Sequence, residues 1–452
     1  MTPRPHDPYG SRDSRRPESA KRREPAHRPE PAHRPEPAHR HTPPIGRTSP
    51  DDQLLTTDEV ARLLGVKPAT VYAYVSRGLL ASHRNADGKG SLFAKPAVDA
   101  LLAGRKRTTT PGIQTGVTLI KDGGLYFRGR DAIVLARTQS FESVATLLWT
   151  GELEHVPLRP SIETLETASR AVAALPAAAR ITDRLRVIVA AAAAADPLRF
   201  DTSPAAVVAT GRNLLATMAV ALPFGVLPTE QGAAERTGET SLARTLWYRL
   251  APRDPRAKDC DTINAALVLL ADHDIAASTL AARVAASTRA HPYAVVSAGL
   301  AALDGPLHGA ASGLAHAVLA EAMDRIDPVA SIADRLREGG PVPGFGHRLY
   351  PDGDPRATAL LDLLDDGPVR RCATRLIDAM RDRSGVHPTI DFALAAFSLQ
   401  NRMPPDAGEA IFAVARTAGW LAHALEEYAD RPLRFRPTGL YAGIRPAAAP
   451  EN

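Results

Sequence analysis

Cysteine is nearly absent: Cys260 and Cys372 are the two in 452 residues, and they lie far apart. Two distant thiols make neither a disulfide framework nor a zinc-ligand set, so they read as reduced thiols of a cytoplasmic protein. Long apolar runs are also missing. The longest, Val187 to Ala195, is too short and too rich in alanine to span a bilayer. The first residues bring prolines and arginines where a secretory signal needs an apolar segment. No strand–helix alternation occurs, which argues against a nucleotide-binding parallel sheet. These absences set the expectation of a cytoplasmic protein without a membrane segment.

What is present is ordinary in bulk and uneven in placement. With 44% hydrophobic and 23% charged residues, the chain suits a globular protein large enough for more than one domain. Residues 1–50 carry 11 Lys and Arg against 6 Asp and Glu, and residues 51–107 carry 9 against 6. Residues 108–452 reverse the balance, 35 against 38. The basic excess therefore precedes the bulk of the chain, as in a polyanion-binding arm. The first fifty residues hold twelve prolines and a Glu-Pro-Ala-His-Arg-Pro repeat around His27, His33 and His39. They have too few apolar groups to offset the entropy of ordering, so 1–50 read as a disordered tail. No scaffold converges the spaced imidazoles, and no metal site is assigned to them.

Residues 51–107 form the next region. Thr56-Thr-Asp-Glu59 has capping-box spacing and opens a helix with Val60, Leu63 and Leu64 on one face. Gly65-Val66 turns the chain, and a second helix runs from Pro68 through Val71, Tyr72, Tyr74 and Val75 to Gly78. This is a helix-turn-helix pattern. With the continuation Gly78 to Arg84, Asp87 to Phe93 and Lys95 to Leu102, it resembles the winged helix of MerR-like and excisionase-like domains. The resemblance implies a second helix in the DNA major groove and a wing on the backbone. Lys67, Thr70, Tyr72, Tyr74, Arg77, Arg84 and Lys89 are then the candidate DNA contacts. Leu92-Phe93 departs from the family, where arginine and tyrosine are frequent. A winged helix that docks to protein instead is the other reading of the same module.

Arg105 to Pro111 is a polar hinge into the region 108–452. Val117 to Ile120 and Leu125 to Phe127 read as a β-hairpin around Asp122-Gly-Gly124. Beyond it, helix periodicity covers Thr164 to Leu175, Ile181 to Ala195, Pro204 to Met218, Asp261 to Leu270 and Asp406 to Tyr428. The fold class is mainly α.

Four segments carry the chemistry. They are Ala-Asp-His273-Asp-Ile-Ala-Ala-Ser-Thr, Gly-Pro-Leu-His308-Gly-Ala-Ala, Gly-Phe-Gly-His347-Arg-Leu-Tyr-Pro-Asp-Gly-Asp-Pro-Arg356 and Val-His-Pro-Thr-Ile-Asp391-Phe. In the third, glycines let a ligand approach the backbone, the histidine supplies a proton donor near neutral pH, and the arginine supplies a fork for a carboxylate. Taken singly, each residue has a plain structural reading. His308 caps a helix, His347 bonds to a turn, Asp391 is an N-cap and Arg416 is a solvated helix residue. Together, in this order, the four segments resemble the citrate synthase family from about Gly112 to Gly443. Phe127-Arg-Gly-Arg-Asp131 and Ser140 to Trp149 resemble its N-terminal signature.

The resemblance implies a large helical domain, a smaller one of roughly 309–402, and a cleft between them. It implies condensation of acetyl-CoA with oxaloacetate, then hydrolysis of citryl-CoA to citrate and CoA. Asp391 matches the base that takes the methyl proton, His308 the donor to the thioester oxygen, and His347 the group that polarises the ketone and protonates the alkoxide. Arg356, Arg416 and Arg436 match the carboxylate-binding arginines, and His273 an oxaloacetate-binding histidine. The last arginine comes from the neighbouring subunit in the family, which implies a homodimer or a higher even oligomer. Neither a metal nor a tightly held cofactor is implied, and acetyl-CoA is a cosubstrate. His291, His316, His387 and His423 lack motif support and read as structural or exposed.

Two departures bear on substrate placement. Ala276 stands where many relatives have asparagine, and Ser312-Gly313 where many have Asn-Glu or Asn-Gln. The choice between acetyl-CoA and propionyl-CoA, which would make a 2-methylcitrate synthase, rests on one methylene and stays open. A DNA-binding regulator that uses the enzyme fold as a metabolite sensor is the competing class.

Overall fold

The computed structural model describes residues 54–76, 78–84, 90–106, 113–223, 241–337, 339–435 and 437; for 84, 100 and 102–106 it describes the backbone alone. The expected tail 1–50 and the candidates Arg77, Lys89 and Arg436 lie outside the described residues. The chain divides into two compact units, Met1–Pro111 and Gly112–Asn452.

The first unit contains β1 (Leu54–Thr56), α1 (Thr57–Leu64), α2 (Pro68–Ser76), β2 (His83–Arg84), β3 (Ser91–Ala94) and α3 (Lys95–Lys106). Both arms of the capping box form: Thr56 N–H donates to Glu59 Oε2 at 2.8 Å, and Glu59 N–H to Thr56 Oγ1 at 3.4 Å. Gly65 ends α1 in the left-handed region, φ 63°. The sheet order β1-β3-β2 was not expected for Leu54–Thr56. Its three residues carry too little pattern, and pairing with β3 makes them a strand, Leu55 opposite Phe93. Phe93 is fully buried with Val60, Val71 and Val98, so the departure from the family's wing pattern supplies the centre of this small core.

The second unit opens on β4 (Thr118–Lys121), β5 (Gly124–Phe127) and β6 (Arg130–Asp131), the expected hairpin plus one short strand. Helices follow: α4 (Ala132–Thr138), α5 (Phe141–Thr150), α6 (Ile162–Ala173), α7 (Ile181–Ala195), α8 (Pro204–Val220) and α9 (Leu242–Leu250). Next come α10 (Ala257–Leu270), α11 (Ala277–Ser287), α12 (Pro292–Leu303), α13 (Ala311–Met323), α14 (Val329–Arg337) and α15 (Pro355–Asp362). The last are α16 (Pro368–Ser384), α17 (Ile390–Gln400) and α18 (Ala407–Ala429).

The sequence places Ser, Asp or Pro at many helix starts. Asp131, Ser140, Ser161 and Ser241 side chains accept from first-turn amides, and Pro204, Pro292, Pro355 and Pro368 occupy the first helical position. The Ser161 cap starts α6 two residues before the expected Thr164. Helix α10 begins at Ala257 rather than Asp261, because Asp259 reaches back to the Arg256 N–H at 2.8 Å while pairing with Arg253 and Arg256.

Helix α18 is the spine. It is built of alanine, glycine and aliphatic residues on every side, and a helix apolar all round is buried all round. Helices α5, α8, α10, α11 and α12 pack on it, while α13, α15 and α16 pack on α17 and α14 packs on α13 and α16, with α13 and α17 also touching α18. No described helix is long and apolar enough to cross a membrane.

One cluster of charges enters this core already paired. Arg283 of α11, 1% exposed, donates from Nε to Glu427 at 2.5 Å and from Nη1 to Glu426 at 2.6 Å. Arg434 bonds the same Glu427. Removing one partner of such a buried pair leaves a charge without compensation. Arg283→Leu is expected to destabilise the protein by about 3–5 kcal/mol, seen as a lower urea midpoint at unchanged m-value.

Candidate active site

The Gly344-Phe-Gly346 turn puts two distant segments together. Both glycines have positive φ, 85° and 82°, and a Cβ on Gly344 would lie 2.9 Å from Phe392 Cβ. The turn runs antiparallel to residues 387–389: Gly346 N–H donates to His387 O and Thr389 N–H to Gly344 O, each at 2.9 Å. His347 follows the turn, and Asp391 lies in the first turn of α17 just beyond the paired segment. His347 Nδ1 accepts from Leu349 N–H at 3.2 Å, which leaves the proton of the neutral ring on Nε2. The turn contact foreseen as the plain reading of His347 therefore exists, and it fixes the tautomer.

Arg356 is held by its own motif. Asp354 caps α15 and takes Arg356 Nε at 2.9 Å and Nη2 at 2.8 Å, while its Oδ2 also accepts from Ile390 N–H at 3.0 Å. The fork thus ties α15 to the start of α17. Tyr350, 2% exposed, lies under the guanidinium at 5.5 Å and bonds His273 Nε2 at 3.0 Å. The His273 and His347 rings are 5.4 Å apart.

His308 lies in the turn before α13, its Nε2 2.7 Å from Ser278 Oγ on α11. Its ring meets Phe412 edge-on at 5.7 Å. Arg416, one turn further along α18, stacks over Phe412 at 4.6 Å and donates from Nε to Leu270 O at 2.8 Å. Its Nη1 and Nη2 are buried and have no hydrogen-bond partner. Arg416 is not a solvated helix residue: it is 1% exposed.

One cavity of about 540 Å³ is lined by His273, His308, His347, Arg356, Asp391 and Arg416, with Ile275, Leu314, Phe345 and Phe412 among its apolar walls. Burial pushes Asp391 up to about 6, against the opposing pull of Arg356 and the Thr389 hydroxyl. Asp391 Oδ1 is buried and accepts no hydrogen bond; Oδ2 accepts from Thr389 Oγ1 at 3.2 Å. Burial, then Arg416, pulls His308 down to about 4, and burial with Arg356 lowers His273 and His347. All three imidazoles are therefore neutral hydrogen-bond donors at pH 7. Burial pulls Arg416 down to about 10, still cationic at neutral pH. At Arg356 burial also opposes the charge, and Asp354 outweighs it and raises the guanidinium. The cavity offers two fixed cations, neutral donors and one carboxylate whose basicity is raised: the means to hold an anion, take a proton and stabilise a developing oxyanion.

Sequence reasoning assigned no role to Tyr350, Asp354 or Ser278, although all three stand inside or beside the motifs, and it did not single out Phe412. His423, read as structural, is fully buried and lies 3.2 Å from Asp272 Oδ2, beneath the His273 turn. Ala276 precedes α11 without a side-chain cap and lines the cavity. In the first unit, Lys67 and Tyr72 are exposed, Thr70 is partly exposed, and Tyr74 packs against the small core. Arg84 stands in β2.

A helix-turn-helix domain family matches residues 54–106. A citrate synthase of Haloferax volcanii is 31% identical over 348 residues, covering 71% of this chain and 90% of the relative. A protein named 2-methylcitrate synthase 1 from Corynebacterium glutamicum is 28% identical over 348 residues, covering 72% and 90%. In fold, the citrate synthase of Pyrobaculum aerophilum matches 82% of this chain and 96% of its own, with TM-score 0.60 at 23% identity. That of Thermoplasma acidophilum, solved as a ternary complex with carboxymethyl coenzyme A and oxaloacetate, matches 76% and 97% with TM-score 0.59 at 24% identity. The citrate synthase C-terminal domain family matches residues 107–438, well over half of the sequence, and with it the chain belongs to the citrate synthase family.

Proposed function

We propose that the second unit condenses acetyl-CoA with oxaloacetate and hydrolyses citryl-CoA to citrate and CoA. The observation that carries this reading is the pairing, in one cavity, of a carboxylate raised to about 6 with a buried guanidinium whose two terminal nitrogens lack partners. Asp391 takes a proton from the thioester methyl. His308 Nε2 is 2.7 Å from Ser278 Oγ; the reading takes the hydroxyl as donor there, with the ring proton on Nδ1 as the donor to the enolate oxygen. The new carbon–carbon bond forms at the ketone carbon. His347, protonated at Nε2, polarises the ketone and gives its proton to the alkoxide, and water then cleaves the thioester. Arg356 and Arg416 hold the carboxylates, His273 assists, and Arg436 from a second subunit completes the site of a homodimer. These steps need proton transfers and carbonyl polarisation alone, so the reading assigns no cofactor beyond the cosubstrate; the two distant cysteines support a cytoplasmic location.

Purified protein is expected to release CoA from acetyl-CoA and oxaloacetate. Asp391→Asn and His308→Ala should each lower kcat by about 10²–10⁴-fold with folding intact. Parallel kinetics with propionyl-CoA decide the acyl preference; one methylene is worth roughly 10–200-fold. No CoA release with either thioester would favour the metabolite-sensing regulator. The acid limb of kcat/KM should rise through pH 6 as Asp391 ionises. Because its folded pKa lies above the ordinary 3.8, Asp391 makes the protein lose stability as pH rises from 3.8 to about 6. The melting temperature of Asp391→Asn relative to wild type should climb over that window and level off above it.

If Arg436 crosses between subunits, mixing Asp391→Asn with Arg436→Ala chains should restore activity through one intact site per heterodimer. Verified heterodimers without recovery would reject the shared site.

For the first unit we infer DNA binding, supported by the helix pair with exposed Lys67 and Tyr72 and by the basic excess before residue 108. Full-length protein should bind duplex DNA with affinity falling steeply with salt, and Lys67→Ala should reduce the salt slope by about 1. Absence of binding at low salt leaves a protein-docking module.

A further inference from the structure

Two glycines bring α13 and α18 into contact behind the cavity. A Cβ on Gly408 would lie 2.9 Å from Ser312 Oγ, and a Cβ on Gly313 would lie 2.6 Å from Glu409 Oε1. Ser312 therefore seats over Gly408, and Glu409 over Gly313. At Gly313 α13 carries no side chain, and a carboxylate from α18 fills that space. Glu409 is 7% exposed, and no described residue donates a hydrogen bond to it. It shares a helix face with Phe412 and Arg416, three and seven residues on, which line the cavity. On its other side it meets a small pocket that also touches Gly309, the residue after His308.

We propose that Glu409 is a positioning residue, whose uncharged carboxyl seats the His308 turn and α13 against the Phe412–Arg416 stretch of α18, and whose ionisation loosens that joint. This rests on the condensation reading above. The surroundings give the physical reason. Arg180 and Arg186 of the α7 region and Asp183, Asp304 and Asp406 face this place, with Gly313 making the contact from α13. Both arginines already pair with Asp304, Arg180 also pairs with Asp183, and Asp406 accepts the Ile181 N–H. An ionised Glu409 thus meets three carboxylates, and the two arginines beside it are already engaged by aspartates. Burial, opposed by Arg180 and reinforced by the three aspartates, pushes it up to about 7. A neutral carboxyl avoids both the desolvation and the repulsion.

The test compares wild type, Glu409→Gln, Glu409→Ala and Gly313→Ala. Wild-type kcat/KM should fall along an alkaline limb near pH 7; Glu409→Gln, uncharged and of the same shape, should abolish that limb. Glu409→Ala, which empties the joint, should raise KM for the thioester about 5–10-fold at every pH, and Gly313→Ala, which pushes the carboxylate away, should do the same. An alkaline limb unchanged in Glu409→Gln, or a wild-type profile in Glu409→Ala, overturns the proposal. A measurement independent of turnover accompanies these. The folded pKa lies above the ordinary 4.5, so ionisation costs stability as pH rises from 4.5 to about 7. The melting temperature of Glu409→Gln relative to wild type should climb over that window, then stay level. If no thioester is turned over, the condensation reading fails, while a climb in relative melting temperature still supports the joint; a flat difference rejects it.

Discussion

A helix buried on every side sets each polar side chain it carries against protein rather than water, and α18 carries several. Glu409, Arg416, His423 and Glu427 are all under 8% exposed along this 23-residue element. Each meets a different neighbour: Gly313, the Leu270 carbonyl, Asp272 and Arg283. Because packing on α18 fixes their positions, the active cavity at one end and the Arg283–Glu427–Arg434 cluster at the other are set by one rigid body. The apolar bulk of α18 supplies the stability; its polar minority decides where function is placed.

That arrangement spends stability on chemistry at two carboxyls. Asp391 and Glu409 are both held where water and hydrogen-bond donors are scarce, and both are raised towards neutrality. Asp354 is the counterexample in the same region. More secluded still, at 2% exposed, it is surrounded by Arg356 and the Ile390 N–H, and these partners outweigh its burial and hold it below the ordinary carboxylate range. Partner supply, more than depth, separates a structural carboxylate from a reactive one.

The legible part of the site was the part written in contiguous residues. Gly344 to Arg356 contains its own turn glycines, its histidine and the Asp354–Arg356 fork, so local sequence carried most of that geometry. The Thr56–Glu59 capping box and the apolar periodicity of α7 and α18 were readable for the same reason. What escaped were contacts between residues distant in sequence. Ser278 meets His308 across 30 positions, and Glu409 meets Gly313 across most of a hundred. Nothing in either residue's own neighbourhood announces its partner. Strand β1 escaped because its conformation is imposed by β3 rather than by its own three residues.

The pairing of residues 344–346 with 387–389 has one more consequence. His347 and Asp391 leave the same two-rung backbone clasp, and both belong to the group of helices around α17. Arg416 belongs to the spine and His273 to the turn against it. Any breathing between these groups would widen or narrow the grip on a bound anion while leaving proton acceptor and proton donor in constant register. Affinity and chemistry would then be mechanically separable: the span between Arg416 on the spine and Arg356 beside α17 would act as a caliper, and the acid–base couple would travel on a single jaw.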